Sequence, residues 1–506
     1  MKINVSLPNR QNNKKEKKYV ASRILLSILM FVGFLAFFSA SWYADVYGDI
    51  GFDGLFFTLF AGMGGVQQGL VISWALRGLL PAVAVTALAA ILIFVLLFGA
   101  GKRKGEKEFF KARIVSLVLS LVLFVGFFAE AGRKAVLYTW VGNLFAETDI
   151  YENEYVSPDN AEITFPEEKR NLIYIYLESM ETTFLSKEYG GGNKDNCLPN
   201  LYSLADENVN FSQNSSVGGG RDITGATWTS AAMVSHTAGI PMRFPLSVKG
   251  KLEGDILPSA KNITEILETQ GYNQAFLVGS DAEYGGREMF FEKRGMDEVY
   301  DIYTAYEDGI VPQDYWQWWG MEDIYLFEYA KKTLTKLASG SEPFSLTMLT
   351  ADTHHVAGFK CQECDDEFEE QYSNVLACSD RQVYEFVKWI QSQPFYENTT
   401  IIITGDHCTM DYGYIERNTD TIYTRRLYNC FINSAADGKN SKNREFVTMD
   451  MFPTTLAALG CNIEGERLGL GTNLFSGEQT LTEKYGYDEF DRELAKKSDY
   501  YNTKFD

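Results

Sequence analysis

Carboxylates and imidazoles recur in this sequence where an apolar run stops. The run TTIIITGDH ends in Asp406 and His407, NLIYIYLE ends in Glu178, and FSLTMLTADTHH ends in Asp352, His354 and His355. The 506 residues contain only four histidines, and three of them stand at these ends. A carboxylate and an imidazole brought together from separate strands make a site for a hard or borderline divalent metal ion. Each group also has a plainer role: Gly-Asp after a strand is ordinary turn chemistry, and Glu178 alone reads as a solvated strand-end acid. Their joint recurrence in one layer favours the metal.

A second stretch, SVGGGRDITGATWTSAAMVSHTAGIPM from Ser216 to Met242, joins glycines to a small-residue helix. Such a segment lets phosphate oxygens approach the backbone and meet the positive end of a helix. Thr229 lies near the expected helix start, where propensity alone makes it an N-cap. Thr224, Thr227 and Ser230 compete with it as a reactive hydroxyl, and spacing does not choose among them.

The elements that must position these groups begin at Asn171. Residues 171–178, 272–280, 344–355, 399–407 and 427–434 read as strands, separated by helical stretches such as NITEILETQG, MEDIYLFEYAKKTLTKLAS and EEQYSNVLACSDRQVYEFVKWIQSQ. Buried strands alternating with helices predict an α/β fold with a mainly parallel sheet covered by helices on both faces. In such sheets ligands gather beyond the carboxyl ends of the strands.

Upstream, Ile24–Tyr43, Leu79–Gly101 and Ile114–Ala129 are uncharged runs read as three transmembrane helices. The first lacks a cleavage pattern and follows the basic NKKEKK, so it reads as a retained anchor with a cytoplasmic N-terminus. The basic GKRKGEKEFFKAR belongs on the same side, which leaves everything after Ala135 outside. The run Gly54–Leu76 is also long enough to span but contains AGMGGVQQG; it is assigned as a re-entrant or interfacial segment, because a crossing there would move the basic loop outside. The expected organisation is a membrane anchor over 1–135 with that segment at 54–76, a linker over 136–168, a catalytic domain over 169–480 and a polar C-terminal tail over 481–506.

A net charge of −21 excludes a broadly basic nucleic-acid binder. All seven cysteines follow the last span. Cys361, Cys364 and Cys378 have the makings of a zinc corner, but no fourth ligand stands at finger-like spacing, which favours a local disulfide or free thiols.

The segments NLIYIYLESMETTF, LPNLYSLADENVNFS, GATWTSAAMVSHTAGIPM, LTADTHHVAGF, IIITGDH and MDMFPTTLAALGCNIEGERLGLGTNLFSG occur in this order. Together they resemble the bacterial phosphoglycerol transferases, including the lipoteichoic acid synthases and the enzymes that decorate periplasmic glucans, within the alkaline phosphatase and sulfatase superfamily. The likeness runs from Asn171 to about Gly477. It implies a sulfatase-like catalytic domain whose metal ligands are Glu178, Thr229, Asp406 and His407, with Mn²⁺ as the usual ion and Thr229 as the nucleophile. It further implies that Arg287, within YGGREMFFEKRGMDEVYD, and His354 contact the phosphoglycerol; Arg294 competes with Arg287. Where the family often has proline two positions after the first histidine, this chain has Val356.

The activity implied is transfer of glycerophosphate from phosphatidylglycerol to a cell-envelope glycan or polyglycerolphosphate acceptor. It would run through a covalent phosphothreonine-type intermediate and release diacylglycerol, at a bilayer and without nucleic acid. The protein would be multi-pass in the cell membrane with its catalytic domain extracellular or periplasmic. Phosphoethanolamine transfer or phosphodiester hydrolysis within the same superfamily is the alternative, followed by a non-catalytic module that binds an envelope polymer. A sulfatase would want cysteine or serine where Thr229 stands.

Overall fold

The structure, a computed structural model, describes residues 10–48, 53–54, 68–97, 99, 103–243 and 256–505. The described residues fall into two compact units. One comprises residues up to Val46 together with Gln68–Thr139; the other comprises Trp140 onward together with the described residues between Tyr47 and Gln67.

Among the described residues, three helices are long and apolar enough to cross a bilayer: Tyr19–Tyr47, Gly69–Val95 and Glu106–Lys134. Large apolar side chains along them, Leu25, Val83 and Leu121 among others, point outward, as a lipid-facing surface requires. The second helix starts at Gly69, ten residues ahead of the expected Leu79, and so takes in the end of the run assigned to a re-entrant segment. Residues 55–67 of that run lie outside the described residues.

The second unit is built on β1 (Ile163–Thr164), β2 (Asn171–Leu177), β3 (Asn273–Val278), β4 (Glu298–Tyr300), β5 (Phe344–Leu349), β6 (Thr399–Gly405), β7 (Asn429–Ile432) and β8 (Asn462–Ile463). Six of these form one sheet in the order β4-β3-β5-β2-β6-β7. All neighbours are parallel except β6 and β7. β1 and β8 make a separate antiparallel pair. All five strands expected from the apolar runs are present; the three-residue edge strand β4 is an addition too short to announce itself by pattern.

Two-residue periodicity divides the strands between the two faces. On β2, Leu172, Tyr174 and Tyr176 join one apolar cluster with Met233, Val234 and Leu456, while Ile173, Ile175 and Leu177 join the other with Leu326, Leu376 and Val387. Helices Thr229–Ala238 and Met451–Ala458 supply the first face, and Asp323–Leu337 and Gln371–Gln391 the second. The sheet is thus covered on both sides, as its near-continuous apolar strands demand. The helix preceding β3 shows local sequence at work: in NITE, Asn262 caps the helix and Glu265 reaches back to the Asn262 amide, a reciprocal box that starts Ile263–Glu268.

The expected linker and tail are structured. Residues 150–154 form a helix and β1 lies within 136–168. The last residues form three helices, Leu481–Tyr485, Tyr487–Ala495 and Asp499–Phe505, that bury Leu481, Phe490, Leu494, Tyr501 and Phe505 in the core. Their apolar residues are sparse among charges, so composition reads as polar while the helical spacing gathers them on one face.

Gly405 closes β6. A Cβ there would stand 1.9 Å from the Met180 carbonyl oxygen, which is backbone and accepts from the Tyr428 amide at 3.1 Å. The close approach is what holds the turn after β2 against the end of β6. Gly405→Ala should therefore destabilise the domain by about 1–3 kcal/mol, as overpacking does, and the loss is read as a lowered midpoint in denaturant. A midpoint equal to wild type would show that the Met180 turn yields freely.

Candidate functional site

The register of β2 and β6 decides the centre of the site. Leu177 pairs with Gly405, so the residues that follow, Glu178 and Asp406, leave neighbouring strands side by side at the carboxyl edge of the sheet. The two turns then lock together. Asp406 Oδ1 accepts from the amides of Ser179 and His407, each at 2.8 Å, and Glu178 Oε1 accepts from the Ser179 hydroxyl at 2.8 Å. Ser179 has φ 56°, a left-handed conformation held by these bonds.

Glu178, Asp406 and His407 present one donor atom each, all within 4.8 Å of one another. His407 Nδ1 lies 2.9 Å from the Cys408 carbonyl oxygen and donates to it, which leaves the Nε2 lone pair facing the carboxylates. Nε2 is 3.5 Å from Glu178 Oε1 and 3.4 Å from Asp406 Oδ2. Asp406 Oδ2 is fully buried and has no hydrogen-bond partner. A buried carboxylate oxygen without a donor, beside a second carboxylate and an imidazole lone pair, is a cradle for a cation.

Electrostatics agree. Burial, then the charge of Glu178, pushes the Asp406 carboxyl above its ordinary range. Burial works in the same direction on Glu178, but the imidazoles of His354 and His407 and hydrogen bonds from Ser179 and Thr229 bring it below its ordinary value. Burial lowers His407, and the facing charges of Asp406 and Glu178 more than reverse this. The two carboxylates repel each other, which a divalent ion between them would relieve.

Thr229 joins this cluster from the opposite side. It is the first residue of helix Thr229–Ala238, with Trp228 in the N-cap position and no side-chain cap bond. The N-cap role that propensity assigns to Thr229 is therefore not the one it plays. Its hydroxyl points at the cluster, 3.2 Å from Glu178 Oε2 and 3.4 Å from His407 Nε2. Thr224 instead gives its amide to Asp491 at 2.8 Å, which ties it to the C-terminal helices.

A cavity opens above the hydroxyl, bordered by Glu178, Trp228, Thr229, Arg287, Trp319 and His354. Arg287 is aimed by three acceptors: the Tyr284 carbonyl at 2.9 Å, the Ser280 hydroxyl at 2.9 Å and the Asp281 carbonyl at 2.7 Å. Arg294 is buried away from the cavity, where it donates to the carbonyls of Ala260, Phe290, Ile256 and Leu257. That contrast separates two arginines that the sequence leaves in competition: one lines the cavity and the other ties loops together. His354 donates from Nδ1 to the His355 carbonyl at 2.9 Å and packs 4.7 Å from the Trp319 ring, so its Nε2 is the free edge. Burial lowers its pKa and keeps the imidazole neutral.

The structure thus gathers Glu178, Thr229, Asp406, His407, Arg287 and His354 at one place. Asp352, at the same strand end, does not join them. Its carboxyl is buried, and that burial followed by the charge of Asp323 holds it far above its ordinary range. The fourth histidine, His236, packs against Tyr176 in the core, where burial lowers its pKa to about 3. Reading by residue type passed over Ser179, Ser280 and Trp319. Ser179 directly follows Glu178 and was open to notice; the other two have no signal short of the folded loop.

The sulfatase family matches residues 170–461, more than half of the 506-residue chain. The chain belongs to the sulfatase family. Phosphoglycerol transferase I of Xanthomonas euvesicatoria pv. vesicatoria is 32% identical over 253 residues, 48% of this chain and 34% of its own length. Phosphoglycerol transferase I of Salmonella choleraesuis is 29% identical over 337 residues, 64% of this chain and 41% of its own. The chain spans between 34% and 41% of the length of these curated relatives. The lipoteichoic acid synthase LtaP of Listeria monocytogenes superposes with a TM-score of 0.49 at 15% identity, over 62% of this chain and 79% of that one.

Members of this superfamily use divalent metal ions, and the donor set here fits one: an orphaned carboxylate oxygen, a second carboxylate, an imidazole lone pair and a hydroxyl. Asp406→Ala and Glu178→Ala should each lose binding of a divalent ion, tested with Mn²⁺, by the purified chain, while far-ultraviolet circular dichroism stays at wild type, because both residues lie just beyond the paired residues of their strands. Retention of a full equivalent of Mn²⁺ in both variants would remove the cluster as a metal site.

Proposed function

We propose that this protein is a metal-dependent phosphoglycerol transferase of the membrane, with phosphatidylglycerol as donor and a hydroxyl of an envelope glycan or polyglycerolphosphate as acceptor. The observation that carries it is the Thr229 hydroxyl, held 3.2 Å from Glu178 Oε2 at the start of a helix and left unused as a cap. The phosphoglycerol transferases among its relatives support the choice of headgroup.

Glu178, Asp406, His407 and Thr229 would hold the ion, with Mn²⁺ as the choice. When bound, it supplies positive charge that favours the ionised hydroxyl and offsets charge on the phosphoryl oxygens. Thr229 Oγ1 attacks the donor phosphorus in line, a Thr229 oxygen–phosphorus bond forms, and the bond from phosphorus to the diacylglycerol oxygen breaks. Diacylglycerol leaves with one proton, and glycerophosphate stays on Thr229. Arg287, already aimed by Tyr284, Ser280 and Asp281, meets the developing negative charge without reorganising. His354 Nε2, a neutral acceptor, takes a hydrogen bond from a glycerol hydroxyl. The acceptor hydroxyl then displaces Thr229, which recovers its proton, and the kinetics are ping-pong.

A membrane anchor suits this chemistry because the scissile bond of the donor lies at the headgroup plane, where a tethered domain meets it at high effective concentration. The basic loop from Lys102 to Arg113 belongs in the cytoplasm and the catalytic domain outside. Single cysteines in that loop and at Ser476, in a background lacking the native cysteines, should label differently in intact cells: an impermeant maleimide reaches Ser476→Cys and spares the loop. The reverse pattern would invert the topology.

Thr229→Ala should lose orders of magnitude in turnover, as loss of a nucleophile does. It should also keep its thermal midpoint, since no cap bond is removed. With donor labelled in the glycerol and acceptor omitted, rapid quenching and peptide mass spectrometry should find a glycerophosphoryl adduct on Thr229. An adduct on Thr227 or Ser230, or full turnover in Thr229→Ala, would refute the assignment. Phosphatidylethanolamine consumed in place of phosphatidylglycerol would move the enzyme to the phosphoethanolamine class.

A further inference from the structure

Away from the catalytic centre, Cys361, Cys364 and Cys378 converge in the segment after His354. Cys361 and Cys364 lie on the loop between β5 and helix Gln371–Gln391, and Cys378 is carried on that helix. All three are buried, and their sulfurs lie within 4.8 Å of one another. The Cys361 sulfur is 3.5 Å from that of Cys364 and 3.8 Å from that of Cys378. A zinc ion with Zn–S bonds of about 2.3 Å sets its sulfurs about 3.8 Å apart along each tetrahedron edge, so these spacings are those of three corners of a thiolate site.

The fourth corner has a donor as well. The side-chain amide of Gln382, one turn after Cys378, lies against the same sulfurs, with Nε2 3.3 Å from Cys378 Sγ and 3.6 Å from Cys361 Sγ. Its Oε1 is buried and has no hydrogen-bond partner. Turning the amide by half a rotation brings Oε1, an oxygen donor for a cation, to the sulfurs. Ile324 and Phe359 close the cluster with apolar surface, which excludes water and strengthens binding of a cation by thiolate.

We propose that Cys361, Cys364 and Cys378, with the Gln382 amide oxygen completing the set, form a second metal site that takes a thiophilic cation of the Zn²⁺ class. Binding releases the thiol protons to solvent as the sulfurs become ligands, without oxidation. The ion ties the loop that follows His354 to the helix behind it, and its role is structural because all four positions are filled by the chain. The spacing Cys-x₂-Cys followed by one further cysteine lacks a finger-like fourth ligand in the sequence; the helix supplies it by placing Gln382 four residues beyond Cys378.

The test uses the full chain in detergent, purified without chelator and then loaded with Co²⁺. A sulfur-to-cobalt charge-transfer band in the near ultraviolet is expected, and the catalytic donors, which include no sulfur, do not produce one. The band should be displaced by one equivalent of Zn²⁺, lost in Cys378→Ser, and retained in Asp406→Ala, where the catalytic ion is gone. In the Zn²⁺-loaded chain the three thiols should resist alkylation until a chelator is added. Three results overturn the proposal: absence of the band from the folded wild-type chain, alkylation of the three thiols at equal rates with and without Zn²⁺, or a disulfide between any two of them in the freshly isolated protein. Because the band is read on the wild-type chain, a variant that fails to fold does not decide the outcome.

Discussion

Two carboxylates leave adjacent strands at the same level, and the rest of the second unit is arranged around that juxtaposition. Glu178 and Asp406 are 2% and 0% exposed, so neither has water to screen its charge from the other. Pairing of Leu177 with Gly405 enforces the approach, and a shift of that register by one residue would turn every side chain of β6 to the opposite face. The apolar clusters on both faces of the sheet prevent such a shift. Their packing therefore serves the site as well as the fold: the two clusters hold a repulsive pair in place until positive charge meets it.

The groups around this pair divide by how they are held. Asp406 and His407 are immobilised by backbone: two amides on Asp406 Oδ1 and one carbonyl on His407 Nδ1 leave a single atom of each facing the centre. Arg287 is held by the loop that follows β3, through two carbonyls and one hydroxyl. Thr229 and Arg287 each stand at the first residue of a helix, Thr229–Ala238 and Arg287–Glu292. An arrangement in which fixed donors and acceptors converge from several rigid elements needs little reorganisation when charge develops at its centre. The buried cysteine cluster extends the same logic, since it lies at the root of the loop that brings in His354.

Much of this was legible in the residues. Continuous apolar runs foretold buried parallel strands, and the acids and histidines at their ends marked the carboxyl edge before any geometry was known. The GATWT segment announced a helix start with hydroxyls. Misreadings arose where one-dimensional pattern and three-dimensional packing part company. The last residues look polar because charges outnumber apolar positions, yet helical spacing puts Phe490, Leu494 and Phe505 in the core. Asp352, noted at a strand end but not assigned to the site, is buried beside Asp323.

By itself, then, the sequence determined the class of the fold, the three apolar helices and the chemical types at the strand ends, because periodicity and composition are properties of neighbouring residues. The tertiary structure decided which hydroxyl meets Glu178, which of two arginines lines the cavity, and that Gln382 lies against Cys361 and Cys378. Each of these is a choice between equivalent residues a few positions apart. For Thr229 it is made by contacts across long stretches of chain, 51 residues between Glu178 and Thr229 and 178 between Thr229 and His407. Local pattern carries no information about such pairs; strand register and helix packing do.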